Sequence, residues 1–250
     1  MQMNRVFNKK MIHTYIVLIA ILIVAVVVGL IMLRYSIQGE RTMPFTINQM
    51  HIISTATTMA GSEQVDEYGQ WHMDLIQKNE IYLYIAANPE YRRDEAISSV
   101  ILDNFRIEKY NEAGQVQLYR QYDIGVHNFA EEFLVEDRLE ITGNVITDVR
   151  ALEINNQGGV IGLGVIIRDI ARYNLVQGER AQINGITLAE EGVTAEDIKV
   201  TIYFDITIEI VSGNRFRAQH RIELPVGNIL ENGLEHVIVE DLSGMVFRRI

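Results

Sequence analysis

The hydrophobic positions of this chain fall into two regimes. From Thr14 to Leu33 the run TYIVLIAILIVAVVVGLIML carries no charge, and only the leading Thr14 and Tyr15 are polar. Twenty helical residues at about 1.5 Å each span roughly 30 Å, the hydrocarbon thickness of a bilayer. A helix in a soluble core would carry a polar stripe, so the run predicts a membrane-spanning helix. From Phe45 onward the pattern becomes short apolar runs rich in Ile, Val, Tyr and Thr, broken by Gly, Asn and Asp. That alternation, with a period of two, is the signature of strands.

Taken in order, Phe45–Ser54 reads as a first strand. Trp71–Gln77 and Ile81–Ala86 alternate around Lys78, Asn79 and Glu80 and read as a hairpin with Trp71, Met73 and Leu75 on one face. A second hairpin is expected from Ile97 to Tyr122, turning at Asn111–Gly114. Between Asn128 and Asp137 the spacing of Phe129 and Phe133 favours a short helix capped by Asn128. Strands resume over Arg138–Ile154 and Val160–Ile170, and Thr194 with Asp197 suits a brief capped turn.

The clearest signal lies in Ile198, Val200, Ile202, Phe204, Ile206, Ile208 and Ile210, where every even position is apolar. The alternation resumes after Ser212, Gly213 and Asn214 with Phe216, Ala218, Ile222, Leu224 and Val226. With those three residues as the loop, Glu209 lies opposite Arg217 and Asp205 opposite Arg221. A register two residues away also aligns the apolar rows but retains only Glu209 with Arg215, so charge pairing favours the first. Asn214 is then expected in the left-handed conformation that a three-residue loop needs. Pro225 places the end of this arm at a sheet edge. Leu234–Glu240 and Met245–Arg249 complete the set.

These strands imply an all-β, antiparallel, sandwich-like domain on a single N-terminal helix. The expected organisation is an arm at 1–13, the span at 14–33, a stalk at 34–44 and β-rich domains at 45–125 and 126–250. The last two form either two tandem units dividing near residues 123–130 or one continuous domain.

Charge orients this arrangement. Arg5, Lys9 and Lys10 precede the span without an acid, whereas Glu40 accompanies Arg34 and Arg41 behind it, which favours a cytoplasmic N-terminus and an extracytoplasmic domain. A cleaved leader would have a shorter apolar region ending in small residues, whereas this one ends in Met32, Leu33 and Arg34, so the span reads as a permanent anchor in the cell membrane. The net charge is −11, and because Arg5, Lys9 and Lys10 are the only formal charges ahead of Arg34, the remainder carries −14. Such a surface repels nucleic acid. The chain has no cysteine, so it forms neither disulfides nor thiolate metal sites.

The search for chemistry yields no catalytic, cofactor-binding or metal constellation. His13, His51, His72, His127, His220 and His236 are far apart in sequence, and no H-x-H or H-E-x-x-H spacing occurs. His220 is the most unusual, since the favoured register points it to the core side opposite Ile206. The run Gly158, Gly159, Val160, Ile161, Gly162, Leu163, Gly164 lacks the order and the lysine of a phosphate loop and reads as a bulged strand or a close backbone approach. Trp71, Tyr82 and Tyr84 are aromatic candidates for a platform, with a sheet-face role as the simpler reading. In the span, Ala25 and Gly29 form a small-x-x-x-small pair through which two helices can approach. The expectation is a single-pass anchored domain at a prokaryotic cell envelope, acting by binding or assembly with the bilayer and an envelope protein as partners, with a homodimer through the span as a further option. The alternative is an envelope hydrolase whose site is assembled from sequence-distant residues.

Overall fold

The computed structural model describes residues 3–40, 43–58, 64–65, 67, 71–91, 93–112, 114–121, 131–142, 154–155, 158–175, 188–242 and 244–250. The chain divides into two compact units, Met1–Arg41 and Thr42–Ile250. The first is one helix, α1, over Met3–Gln38, whose stretch Met11–Tyr35 is long and apolar enough to cross a membrane. The helix continues through the first five residues of the expected stalk, because nothing breaks it before Gly39. There φ reaches +70° and the Gly39 N–H closes the last turn on the Tyr35 carbonyl at 2.9 Å. Glycine accepts this left-handed conformation without steric cost.

The second unit is built from two antiparallel sheets. The first holds β1 (Phe45–Thr58), β3 (Trp71–Ala87), β8 (Gly158–Leu175), β5 (Gln115–Arg120) and β11 (Leu234–Val239) in the order β11-β1-β3-β8-β5. The short β2 (Gln64–Val65) pairs with β3, and the short β7 (Ile154–Asn155) pairs with β8. The second sheet holds β4 (Ile97–Lys109), β6 (Arg138–Thr142), β9 (Val200–Ile210), β10 (Arg215–Glu223) and β12 (Arg248–Arg249) in the order β12-β10-β9-β4-β6. Their inner rows meet in one core, with Ile52, Ile81, Leu83 and Leu163 from the first sheet among Leu102, Ile202, Phe204 and Ile206 from the second. This is the expected all-β sandwich. It is a single unit: β3 pairs with β8 and β1 with β11, so strands on both sides of the anticipated division near 123–130 share one sheet.

Two anticipated hairpins become something else. Trp71–Ala87 runs straight on as a single 17-residue strand, and the polar residues read as its turn lie inside the sheet. Asn79 Oδ1 accepts from Ser54 Oγ at 2.6 Å and from Gln77 Nε2 at 3.0 Å, while Asn79 Nδ2 donates to the Val165 carbonyl at 3.4 Å. The buried side chains of Ser54, Gln77 and Asn79 lie between the main core and a second, smaller cluster of Leu75, Leu188, Val193, Ile198 and Ile229. Replacing Asn79 with Leu strands the buried Ser54 hydroxyl and leaves Gln77 Nε2 only the Pro225 carbonyl at 3.4 Å, and denaturant unfolding should show a loss of about 1–3 kcal/mol. An unchanged midpoint would mean that this network contributes nothing to stability.

Strands β4 and β5, the second anticipated hairpin, do not pair with each other. β4 lies between β9 and β6, whereas β5 pairs with β8 in the other sheet. The intervening turn therefore steps across the roughly 10 Å between sheets instead of folding back within one. Its Asn111 Nδ2 donates to Asp197 Oδ1 at 2.7 Å, tying the step to the short helix α2 (Ala195–Ile198). The expected cap of α2 is present: the Thr194 N–H and hydroxyl donate to Asp197 Oδ2 at 2.8 and 2.7 Å. Those bonds, led by the Thr194 hydroxyl, hold the Asp197 carboxyl below the usual carboxylate range.

The remaining segments follow the pattern with local changes. Glu131–Phe133 forms a 3-10 turn, while its expected cap Asn128 and the strand expected over 143–153 lie outside the described residues. A further helix, α3 (Asn228–Asn232), ends at Gly233 with φ +66° and leads into β11.

The β9–β10 hairpin adopts the register that charge counting disfavoured, with Arg215 opposite Glu209, Gln219 opposite Asp205 and His220 opposite Phe204. Its loop is the four residues 211–214, closed by the Gly213 N–H on the Ile210 carbonyl at 2.8 Å, and Gly213 rather than Asn214 takes the positive φ, +86°. Glycine fits that conformation better than asparagine, which settles the loop and with it the register. Arg217 regains its acids diagonally, at 3.1 Å from Asp103 and 3.7 Å from Asp205, because a long side chain reaches beyond its directly opposite neighbour.

Candidate binding face

The outer surface of the first sheet changes character from one end to the other. At its centre Glu80 and Tyr82 project from β3 between Gly162 and Gly164 of β8, and all the polar tips there are buried. Tyr82 OH donates to Glu80 Oε2 at 2.6 Å, and Gln121 Nε2 lies 3.5 Å from the same hydroxyl. The glycine run thus serves close approach of side chains and backbone, as its lack of phosphate-loop order implied. A Cβ on Gly164 would stand 3.2 Å from Gln121 Oε1, and one on Gly158 only 2.3 Å from the Ile85 carbonyl oxygen. Of the aromatic candidates, Tyr82 is buried and Tyr84 partly buried, which fits the sheet-face role, and the Trp71 side chain lies outside the described set.

Towards β11 the same surface opens. Leu234 and Ile238 are 54% and 48% exposed and lie on the same face of one short strand. Between them His236 points the same way, and its Nε2 lies 3.2 Å from His51 Nδ1 on β1. The His51 ring also stacks at a tilt on Tyr84, with centroids 4.8 Å apart. Burial, and then the proximity of His236, push the His51 pKa below the usual histidine value. The shift favours the neutral His51 ring, and this end of the sheet displays a strip of Leu, His and Ile on an otherwise acidic protein.

A second polar cluster covers the middle of the other sheet. Asp103 and Asp205 face each other across β4 and β9, and Arg217 bridges both while donating from Nε to Thr207 Oγ1 at 3.0 Å. Asn104, held at φ +55° where β4 bulges, donates to Asp205 Oδ2 at 2.8 Å. The single guanidinium offsets one of the two carboxylate charges and binds both side chains, which gives the cluster a structural task in locking three strands.

The residues singled out in the apolar run keep their places on α1. Tyr15 and Leu33 are exposed along with the rest of the run, and Thr14 lies at its leading edge. Ala25 and Gly29 share a face, and a Cβ on Gly29 would meet no heavy atom within 4 Å. Among the described residues no group of three His, Cys, Asp or Glu could hold an ion. His51 with His236 is a proximity that spacing could not reveal, since 185 positions separate them. The exposed Leu-x-His-x-Ile of β11 was visible as alternation, but not as an edge. The chain matches no protein-family model, no curated protein and no solved structure.

Proposed function

We propose that this chain is a single-pass envelope protein, anchored by α1 with its N-terminus in the cytoplasm, whose β-sandwich acts outside the membrane by binding and assembly. The observation that carries the reading is the exposed Leu-x-His-x-Ile strip on the open edge of the first sheet, in a chain that also holds a helix able to span a bilayer. Open edges of this kind recruit another strand, and an anchor confines the recruitment to the membrane surface. The basic arm ahead of the span supports the orientation, and the long apolar run without small residues at its end supports a retained anchor over a cleaved leader.

Two measurements test this. Protease added to intact spheroplasts should digest the domain, and full protection would overturn the orientation. After mild solubilisation, native mass measurement of the full chain should show a complex heavier than one copy. A strictly monomeric chain would overturn the assembly reading.

A further inference from the structure

The partner left open above can be named from the geometry of β11, and the inference rests on that assembly reading. The Ala56 N–H donates to the Gly233 carbonyl at 2.8 Å, and the pairing Thr55 with Leu234 places Ala56 opposite Gly233. Hydrogen-bonding direction alternates along an antiparallel strand, so Glu235, Val237 and Val239 turn their backbone groups to β1. Leu234, His236 and Ile238 therefore direct their N–H and C=O groups to the open side. β11 has no further strand partner among the described residues.

The other three sheet edges are blunted. Beside β5, the Val135 N–H occupies the Leu118 carbonyl at 2.8 Å, and Tyr119 forms a bridge with Leu134. β6 is only five residues long and displays an Arg138–Glu140 ion pair. β12 is two arginines. Charges, short strands and covering segments are the usual means of stopping edge-to-edge association, and β11 has no proline, no lysine and no bulge.

We propose that β11 pairs antiparallel with β11 of a second copy of this chain, His236 facing His236 across a two-fold axis, to join the two first sheets into one. The pattern of the strand selects both occupant and register. With His236 on the axis, Leu234 lies opposite Ile238 of the second copy on the outer face, and this apolar pair occurs twice by symmetry. Glu235 then faces a valine. Shifting the register by two residues sets Glu235 against Glu235 in one direction and Leu234 against Glu240 in the other. The only ionisable groups in the paired stretch are thus Glu235, already bonded to the Ile229 N–H at 3.2 Å, and His236. Six residues of strand make a small interface, and confinement of both anchors to one membrane raises the local concentration enough for it to act.

The chain has no cysteine, so single cysteines report the register without background. In a hydrogen-bonded pair the Cα atoms lie about 5.5 Å apart, within disulfide reach. His236→Cys in the full-length chain, oxidised in its native membranes, should give a covalent dimer as the main species. Leu234→Cys or Ile238→Cys alone should give little, because each lies about 13 Å along the strand from its own copy. Co-expression of those two variants should restore the cross-link. The inference is overturned if His236→Cys remains monomeric, or if it cross-links no better than Val211→Cys on the exposed β9–β10 loop. If His236→Cys fails while the solubilised chain still travels with a different protein, only the self-pairing falls and the assembly reading stands.

Discussion

Gly158→Ala is expected to cost the domain about 4 kcal/mol or more, enough to unfold most domains of ordinary stability. Gly158 opens β8 opposite Ala86 with φ +127°, and the added methyl would lie 2.3 Å from the Ile85 carbonyl oxygen and 3.1 Å from its carbon. Neither atom can yield by rotating a side chain, because both belong to the backbone of β3, the strand held between β1 and β8 at the centre of its sheet. The substitution must therefore push two central strands apart or bend β8 away from its partner. Gly213→Ala is the control. It also has a positive φ, +86°, but its Cβ would meet nothing within 4 Å, so only the conformational cost of about 1–2 kcal/mol remains. Thermal and denaturant unfolding of the two variants should separate clearly. Equal losses would show that backbone conformation, not close approach, is why glycine occupies position 158.

Acidification should weaken the fold through His220. The ring sits on the core side of β10, edge-on to Phe204 with centroids 5.8 Å apart, and its buried Nε2 has no hydrogen-bond partner. Burial lowers its pKa to about 4 from the model-compound 6.5. Between those values the unfolded chain binds a proton that the folded one refuses. Stability is therefore fully present above pH 6.5 and falls as the pH drops towards 4, by about 2–3 kcal/mol in all. His220→Phe keeps an aromatic ring against Phe204 and removes the titration. Its stability between pH 7 and 4 should fall less steeply than that of the parent by that amount. His51, whose pKa is also lowered, contributes in the same direction in both proteins and cancels in the comparison. Parallel pH profiles for the two proteins would remove His220 as the cause.

Much of the architecture follows from one-dimensional pattern. The uncharged run at Thr14–Leu33 fixes a helix able to cross a bilayer, because every turn of it is apolar and no arrangement of the remaining chain alters that. The even-numbered apolar row from Ile198 to Ile210 likewise fixes a core strand, since period-two alternation has only one buried face in a sheet. The capped turn at Thr194 and Asp197 is similarly local, made by groups three residues apart. The helix, the strand-rich content and the strand character of Gly158–Gly164 were all legible because each depends on neighbours in sequence.

Tertiary structure decided which strands meet, and there local signals misled. Lys78, Asn79 and Glu80 look like a turn until Ser54 and the Val165 carbonyl supply partners for Asn79, whereupon a polar break becomes the middle of a 17-residue strand. The turn after Lys109 looks like a hairpin, yet β9 and β6 claim both sides of β4 and send β5 to the opposite sheet. In β9–β10 the sequence offered two registers with the same core alignment, and the left-handed Gly213 chose between them where charge pairing chose wrongly. The juxtaposition of His51 with His236, and the exposure of Leu234 and Ile238 on an open edge, exist only because β11 returns from the end of the chain to lie beside β1. Sequence by itself determined the helix and which apolar rows face inward, since those need only periodicity. The partner of each strand depends on hydrogen bonds and packing between residues far apart in the chain, and only the folded protein supplies them.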